Sequence, residues 1–324
     1  MVRCLPTYWS VGCFLMNNDA FLVELEPVAE KLLNRHLATT KEWFPHELIP
    51  YHRARDFEAG EVWSEDQTDV GGAILTPAVR SAMLVNLLTE DNLPYYFRDI
   101  ERMFGTENAF GVWARRWTAE EGRHAIVIRD YLTVSRAIDP TFLERSRMAQ
   151  VSGGEVPQPE SPIEGMVYVT LQELATRISH RNTGKLIGDP IGYEVMARVG
   201  ADENMHFLFY RDLTTAAIEL NPSRLVIAID DVVRNFAMPG TGIADFNKHA
   251  ARIAEAGIYD LNLFCEQILQ PVIIRHWGLE KLEGLTPEAD EARTRVLTHM
   301  ERLNRLSQRL VARRAKHESP ALAG

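Results

Sequence analysis

The chain has 324 residues, of which 46% are hydrophobic and 25% charged, and its formal net charge is −10 with a pI near 5.5. This composition is typical of globular proteins and excludes a mainly disordered chain. The acidic total gives no electrostatic support for a nucleic-acid partner. The three cysteines, Cys4, Cys13 and Cys265, suit neither a disulfide framework nor a zinc site, so we expect a reducing, cytoplasmic setting.

The N-terminal segment resembles a targeting signal only in part. Residues 4–16 are fairly apolar, but Pro6 interrupts them and Arg3 is the only basic residue before them. These features argue against a signal peptide, and we interpret residues 1–20 as an extension with no recognisable match, with translation starting at Met16. No apolar run approaches the roughly 20 residues that cross a bilayer, so we expect no transmembrane segment.

Three- and four-residue spacing of apolar side chains predicts helices along most of the chain. The first lies at residues 21–36, and residues 43–72, rich in Pro, Gly and Asp, predict an irregular connection. Four long helices are then predicted at residues 77–104, 108–137, 163–186 and 189–219. Thr76 followed by Pro77 is a typical start for the first of these four.

The remaining sequence continues this helical pattern. Residues 149–162, with two glycines and three prolines, predict a connection between the first pair of long helices and the second. Further helices are predicted at residues 223–236, 243–256, 259–276 and 287–316. No window alternates apolar and polar residues as a half-buried strand would. We therefore predict an all-α fold, with one domain at residues 21–316 and a disordered tail at residues 317–324.

A repeated arrangement of glutamate and histidine lies on the four long helices. Its members are Glu90, Glu121 with His124, Glu173, and Glu203 with His206. In each half a lone glutamate is followed 31 or 30 residues later by Glu-x-x-His, a motif found nowhere else in the chain. Residues i and i+3 share a helix face, so each motif turns a carboxylate and an imidazole the same way. This is the ligand set of ferritin-like sites that bind two iron or two manganese ions.

Exposure to solvent is the alternative interpretation for each of these side chains. Apolar neighbours argue against it; Leu87, Leu88 and Leu93, for example, flank Glu90. A buried carboxylate without a partner is costly and tends to protonate. Four glutamates that converge in a bundle core therefore indicate cations among them, and iron suits mixed carboxylate and imidazole ligands. Pro94 leaves the Glu90 carbonyl without a helical partner, which predicts a kink beside this glutamate.

Five motifs carry a family resemblance. They are Thr89-Glu90-Asp91-Asn92-Leu93-Pro94, Trp117-Thr118-Ala119-Glu120-Glu121-Gly122-Arg123-His124, Gln172-Glu173-Leu174-Ala175-Thr176, Ile178-Ser179-His180-Arg181-Asn182-Thr183 and Ala201-Asp202-Glu203-Asn204-Met205-His206. These motifs resemble those of the soluble acyl-(acyl carrier protein) desaturases, or acyl-ACP desaturases, of plant plastids and actinobacteria. The chain is most similar to the mycobacterial type, from about residue 24 into the C-terminal helices.

The resemblance implies an enzyme that uses O2 and reduced ferredoxin to introduce a cis double bond into a saturated acyl chain carried by acyl carrier protein. It also implies a ferritin-like four-helix bundle with flanking helices, assembled as a homodimer with one di-iron centre (two Fe ions) in each subunit. By motif position the iron ligands are Glu90, Glu121, His124, Glu173, Glu203 and His206.

Three further residues gain an expected role from the same resemblance. Thr176 matches a threonine thought to assist O2 activation. Asp202 and Trp43 match a hydrogen-bonded chain from His124 towards the surface, although a simple packed aromatic is the alternative for Trp43. Gly122 departs from the family pattern, in which asparagine is usual, at a helix-interior cost of about 1 kcal/mol relative to alanine.

The carrier protein is acidic, so a basic docking surface is expected. Arg302, Arg305, Arg309 and Arg313 recur at helical spacing near the C-terminus and form one candidate face. A solvated charged face without a partner is the alternative for such a stripe.

Three other functions fit parts of this pattern. A di-iron N-oxygenase, or another oxygenase on the same bundle, would use the same ligands; the matches at Thr176 and Asn182 favour a desaturase over it. An iron-storage protein or a metal-free structural bundle has no evident use for so many helices beyond four. A homologue that has lost its activity is disfavoured, because all six ligands are present.

Overall fold

A computed structural model describes residues 18–64, 75–240 and 242–318. Its helices are α1 (Asn18–Thr39), α2 (Pro45–Leu48), α3 (Pro77–Glu90), α4 (Leu93–Phe104), α5 (Asn108–Val134), α6 (Pro140–Gly153), α7 (Pro162–Leu186), α8 (Pro190–Leu220), α9 (Pro222–Asn235), α10 (Phe246–Glu255), α11 (Leu261–Leu263) and α12 (Pro287–Glu318). A π-helical segment, Phe264–His276, continues α11, and 3-10 turns lie at Tyr51–Arg53 and Leu279–Lys281. No strand occurs in the described ranges, so the all-α prediction is confirmed.

The predicted terminal segments lie mostly outside these ranges. Only residues 18–20 of the extension 1–20 are described, and they form the first turn of α1. Of the tail 317–324, residues 317 and 318 are described, at the end of α12. No helix among the described residues is long and apolar enough to cross a membrane.

Six helices begin with a polar residue followed by proline. The pairs are Thr76-Pro77, Asp139-Pro140, Ser161-Pro162, Asp189-Pro190, Asn221-Pro222 and Thr286-Pro287. In each pair the polar side chain accepts a hydrogen bond from a backbone N–H two or three residues later. The cap satisfies an orphan donor, and the proline sits where its missing N–H costs nothing. Local chemistry therefore fixes the starts of α3, α7 and α8, three of the four helices that carry the site.

The predicted helix at 77–104 is two helices in the structure. α3 ends at Glu90 and α4 begins at Leu93, with a two-residue turn between them. Pro94 has no N–H with which to bond the Glu90 carbonyl, so the helical ladder is interrupted there. The predicted kink is thus a break that places Glu90 at the last position of α3.

Helix α6 was not predicted, and the connection predicted at 149–162 is too long. The first five residues of that predicted connection, 149–153, belong to α6. This helix ends before Gly154, whose φ is 64°. The helix is only weakly amphipathic, since Leu143 and Gln150 alone are buried, so apolar spacing gives little signal. The pair Asp139-Pro140 was the available signal. The predicted irregular connection at 43–72 likewise contains the short helix α2, while residues 65–72 lie outside the described ranges.

Helices α3, α5, α7 and α8 form the bundle that positions the site. α1 packs on α5 and α8, α4 on α5 and α7, α9 on α7 and α12, and α10 on α3. Two large apolar clusters fill most of the interior, and a small third one contains Ala82, Ile253 and Ile258. Along α5, Trp117 belongs to one cluster and Val127 to the other. Along α8, Phe207 and Val199 divide in the same way. The Glu-x-x-His motifs therefore lie at the junction of the two clusters.

Candidate metal centre

The bundle brings the six predicted ligands together in its interior. Glu90 comes from α3, Glu121 and His124 from α5, Glu173 from α7, and Glu203 and His206 from α8. Each is buried, with at most 8% of its surface exposed. Four helices thus each contribute a carboxylate to a single buried cluster, as the sequence pattern predicted.

The donor atoms of these residues form two overlapping groups. One group contains Glu90, Glu121, His124 and Glu203, and the other contains Glu121, Glu173, Glu203 and His206. Within each group the donor atoms lie within 4.8 Å of one another. Glu121 and Glu203 belong to both groups, so these two carboxylates could contact both cations of a pair. Glu90 and Glu173 each belong to one group and could contact only one of them.

The two imidazoles are oriented alike. Nδ1 of His124 lies 3.0 Å from Glu121 Oε2, and Nδ1 of His206 lies 2.8 Å from Glu121 Oε1. Each carboxylate oxygen of Glu121 therefore faces a different imidazole. Nε2 of each ring points the other way, to Asp202 from His124 and to Glu120 from His206. An imidazole that offers one nitrogen to a metal and the other to a carboxylate is the usual arrangement in metalloproteins.

The chemistry of the donor set fits two divalent cations. Three buried donor atoms, Glu121 Oε1, Glu173 Oε2 and His206 Nδ1, face one another without a well-formed hydrogen bond: His206 Nδ1 lies 2.8 Å from Glu121 Oε1 and 3.6 Å from Glu173 Oε2. Native proteins rarely leave such atoms unsatisfied, so the pattern indicates a ligand other than a proton. Four glutamates carry four negative charges, which two divalent cations would neutralise. Carboxylate oxygens and imidazole nitrogens without thiolate suit iron or manganese.

The electrostatics of the metal-free cluster support this interpretation. Burial raises the pKa of Glu173 well above its ordinary value, and the nearby charge of Glu203 raises it further. Burial likewise raises the pKa of Glu121. Burial alone would lower the pKa of His124 and of His206, but their carboxylate neighbours hold both well above 6.5. Without a metal, the cluster therefore retains protons that a cation would displace.

Trp43 and Asp202 contact each other beside His124. Trp43 is only 2% exposed, and its Nε1 donates to Asp202 Oδ2 over 3.0 Å. The same oxygen lies 3.4 Å from His124 Nε2 and accepts a 2.9 Å hydrogen bond from Arg123. Arg123 also donates to the Trp43 carbonyl and stacks over its ring. A continuous set of contacts thus runs from His124 through Asp202 to Trp43, whose neighbour Phe44 is exposed.

Thr176 lies against the carboxylate of Glu203. Its hydroxyl donates to Glu203 Oε2 over 2.6 Å and also lies 3.0 Å from the Glu173 carbonyl. The indole Nε1 of Trp117 donates to Glu173 Oε1 over 3.0 Å. These contacts orient the carboxylates of Glu203 and Glu173. The roles of Thr176, Asp202 and Trp43 stay predictions.

His180 is a member of the cluster that the sequence analysis did not select. Its Nε2 lies 3.3 Å from Glu90 Oε1 and 3.4 Å from Glu203 Oε1, and the ring is buried. Burial opposes its protonation, but these two carboxylates raise its pKa to about 9. His180 falls seven residues after Glu173, so it shares a face of α7 with that ligand, and this spacing was the available signal.

A cavity opens from the cluster of predicted ligands along α4. Its wall includes the ligands Glu90, Glu121 and Glu203 together with Thr176. Apolar side chains extend it away from the ligands: Leu93, Ile100 and Met103 of α4, Val169 of α7 and Ile253 of α10. Such a space suits a long apolar molecule that reaches the cluster.

Most of the chain matches a protein-family model. The family model for fatty acid desaturases matches residues 18–322. The chain belongs to this family. It is 42% identical over 282 residues to DesA1 of Mycobacterium tuberculosis, assigned as an acyl-ACP desaturase, which covers 84% of this chain and 82% of that protein.

Two further comparisons agree with the family assignment. This desaturase-family chain is 33% identical over 249 residues to the chloroplastic stearoyl-ACP 9-desaturase 6 of Arabidopsis thaliana, which covers 71% of this chain and 63% of the plant protein. Its fold matches the crystal structure of DesA2 from M. tuberculosis, assigned as an acyl-ACP desaturase, with a TM-score of 0.68 and 28% identity. That match covers 85% of this chain and 99% of DesA2. The predicted ferritin-like, all-α architecture is thereby confirmed.

Proposed function

We propose that this chain is an acyl-ACP desaturase that uses two iron ions and O2 to introduce a cis double bond into a saturated acyl chain. One observation carries the proposal: two donor groups that share Glu121 and Glu203 lie at the wall of an apolar cavity. Relatives named for activity on stearoyl-ACP support the same substrate class. When bound, the iron pair would supply the redox chemistry with O2 that removes hydrogen from an unactivated methylene.

The protein's own contribution is to position the acyl chain. Leu93, Ile100 and Met103 lie on one side of α4 and offer an apolar wall that starts at Glu90. Burying a chain there gains about 0.8 kcal/mol per methylene and holds one carbon beside the metal ligands. The same wall excludes water from the reacting position. Because position selects the carbon that reacts, the cavity rather than the ligand set decides where the double bond forms.

The proposed reaction needs electrons from outside, and a ferredoxin-type donor is the proposed source. Trp43, Asp202 and His124 supply a contact route of 3.0 and 3.4 Å from the edge of the bundle to a predicted ligand. Phe44, exposed beside Trp43, would lie near the docked donor.

The proposed carrier of the acyl chain is acidic, so a basic surface near the cavity should bind it. Arg302, Arg305, Arg309 and Arg313 are exposed on α12. Arg314, next to them, pairs with Asp260 at 2.6 Å, and the preceding Tyr259 lines the cavity. The basic end of α12 therefore lies beside a cavity wall. The homodimer that the family resemblance implies belongs to the same proposal, and sedimentation equilibrium would test it.

The first experiment is to measure iron and product in one preparation. Protein reconstituted anaerobically with Fe(II) is assayed for iron, then incubated with acyl-ACP, ferredoxin, its reductase and O2, and the acyl chains are identified by gas chromatography–mass spectrometry. We expect about two irons per chain, by the ligand count, and a new double bond. The Glu173→Ala variant should lose the bound iron and the desaturation product. Glu219 is an exposed glutamate on α8, so Glu219→Ala should retain iron and product.

The other outcomes separate the alternatives. Two irons without any unsaturated product would favour an oxygenase such as an N-oxygenase. Iron far above two per chain would favour storage. Full desaturation by Glu173→Ala with normal iron content would contradict the ligand assignment.

A further inference from the structure

Glu120, the residue before the predicted ligand Glu121, occupies a buried position of its own. It is 2% exposed, and its Oε2 lies 2.9 Å from His206 Nε2 and 2.9 Å from His36 Nε2. Its other oxygen lies 2.6 Å from the Arg116 guanidinium. Consecutive residues of a helix point about 100° apart, so Glu120 reaches the back of His206 while Glu121 reaches its front.

This arrangement is the counterpart of the one around His124. There, Asp202 contacts Nε2 of the imidazole and is held by Trp43 and Arg123. Here, Glu120 contacts Nε2 and is held by His36 and Arg116. Both predicted metal subsites therefore have a buried carboxylate behind the imidazole and an arginine on that carboxylate. The carboxylates come from different helices, Asp202 from α8 and Glu120 from α5.

His36 links this network to a helix outside the bundle. It lies on α1 and is 2% exposed. Its ring stacks near that of His206, with centroids 6.0 Å apart, and meets Trp113 edge-on at 4.9 Å. Without Glu120, the buried His36 ring would lose this hydrogen bond in an apolar setting. The contact thus holds α1 and His206 to the same carboxylate.

We propose that Glu120 is the positioning residue for His206, and that His36 and Arg116 fix Glu120 so that α1 becomes part of one metal subsite. The inference rests on the proposed two-metal centre. It assigns to each subsite its own supporting carboxylate, Asp202 for His124 and Glu120 for His206. Removal of one of these carboxylates should therefore weaken the binding of one divalent cation and leave the binding of the other unchanged. Loss of such an outer hydrogen bond typically lowers metal affinity about 10- to 100-fold.

The test is a Co(II) titration of the metal-free, full-length protein. Wild type should bind two Co(II) per chain. Glu120→Gln keeps the side-chain shape but removes the charged acceptor. This variant should bind one Co(II) as tightly as wild type and the second with an affinity about 10- to 100-fold lower. Asp202→Asn should do the same to the other subsite. The exposed control Glu219→Gln should titrate like wild type.

Proton NMR of the Co(II) protein provides a readout that a general loss of stability would not give. Each ligand imidazole carries an exchangeable Nε2–H whose signal the nearby cobalt shifts strongly. Glu120→Gln should move or remove one such signal and Asp202→Asn the other, while Glu120→Asp should restore part of the first. Circular dichroism verifies that each variant is folded before it is titrated.

The outcomes distinguish this inference from the proposed function. Failure of wild type to bind Co(II) would remove the metal centre and both proposals with it. Two tight cobalt ions and unchanged NMR signals in Glu120→Gln would overturn the positioning role alone. Equal weakening of both cobalt ions in folded Glu120→Gln would also overturn it, because the effect would then not be specific to His206.

Discussion

The indole Nε1 of Trp43 donates a 3.0 Å hydrogen bond to Asp202 Oδ2, although the two residues are 159 positions apart in the chain. The same carboxylate oxygen faces His124 Nε2, so a single atom joins a residue outside the bundle helices to a predicted metal ligand. Arg123 closes the arrangement by contacting both Asp202 and the Trp43 carbonyl. A buried indole N–H usually finds an acceptor, and here that acceptor also contacts a predicted ligand imidazole.

Replacement of Trp43 should slow electron delivery without removing the metal. Trp43→Phe keeps an aromatic ring but deletes the donor to Asp202, so we expect normal iron content and reduction by ferredoxin slower by about tenfold or more. Stopped-flow reduction of the oxidised protein measures this rate. Trp63→Phe is the matched control, because Trp63 donates instead to the Arg136 carbonyl. Equal rates for wild type and Trp43→Phe would leave Trp43 as a packing residue.

The metal-free protein should lose stability as pH rises from 6.5 to 9. Burial alone would lower the pKa of His180. The carboxylates of Glu203 and Glu90 outweigh burial and raise this pKa from 6.5 to about 9 in the folded protein. The favourable contribution of its charged form is fully present below pH 6.5 and is lost as pH rises through about 9. Burial raises the pKa of Glu173 as well, which acts in the same direction. Thermal unfolding of metal-free protein across this range measures the effect.

Metal binding should show the opposite pH dependence. Protons on His124, His206 and Glu173 compete with the cation, so apparent Co(II) affinity should increase from pH 6 to pH 8 and binding should release protons. Calorimetric titration in buffers of different ionisation enthalpy counts the protons released. Affinity that is independent of pH would mean that the cluster is already deprotonated.

Gly122 should be replaceable by alanine with a gain in stability. The nearest atom to an added Cβ is Leu93 Cδ2 at 3.9 Å, an ordinary contact, and the helix interior favours alanine by about 0.5–1 kcal/mol. Urea unfolding should show this gain with metal content unchanged. Gly111→Ala on the same helix is the contrasting variant. Its Cβ would lie 2.0 Å from the Thr106 carbonyl oxygen, so it should destabilise the protein by about 1–3 kcal/mol.

The length of the acyl chain accepted should depend on Gly165. A Cβ at this position would lie 2.6 Å from Met103 Sδ, and Met103 lines the cavity. Gly165→Ala should therefore push Met103 into the cavity and lower kcat/KM for the longest acyl chains by about tenfold relative to shorter ones. Competition assays with acyl-ACPs of different lengths measure the ratio. Gly153→Ala, where an added Cβ meets nothing within 4 Å, should keep the wild-type ratio.

Charge reversal on α12 should weaken the carrier interaction. Arg309→Glu with Arg313→Glu should raise KM for acyl-ACP roughly tenfold at low ionic strength, because an acidic partner loses electrostatic attraction. The iron content should not change. Arg145→Glu with Lys281→Glu gives the same change in net charge at exposed positions elsewhere. Similar KM values for the two double variants would place the docking surface away from α12.

The sequence predicts the ligand helices well because the relevant signals are local. Proline after a polar cap marks the start of α3, α7 and α8, and the Glu-x-x-His spacing fixes the relative direction of two donors on one helix. These features depend on short-range geometry alone. The break between α3 and α4 was predicted only as a kink, since Pro94 indicates an interrupted ladder but not how the chain turns.

The surroundings of the ligands could not be predicted in the same way. His36 lies 84 positions from Glu120, and nothing around it in α1 distinguishes it from an exposed histidine. His180 falls within a recognised motif, but its contacts with Glu90 and Glu203 depend on how α3, α7 and α8 pack. Tertiary packing decides which polar side chains meet, and one sequence does not encode that in any short window.

The two-residue turn after Glu90 also bears on how such proteins diverge. Asp91, in that turn, is held by Arg147 of α6 at 2.5 and 2.9 Å, so the end of α3 is fixed independently of α4. α4, which forms much of the cavity wall, can then change direction or sequence without moving the glutamate. Relatives could inherit one unchanged redox centre and still acquire cavities of different shape. The turn thus lets the helix that holds Glu90 and the helix that shapes the cavity be altered separately.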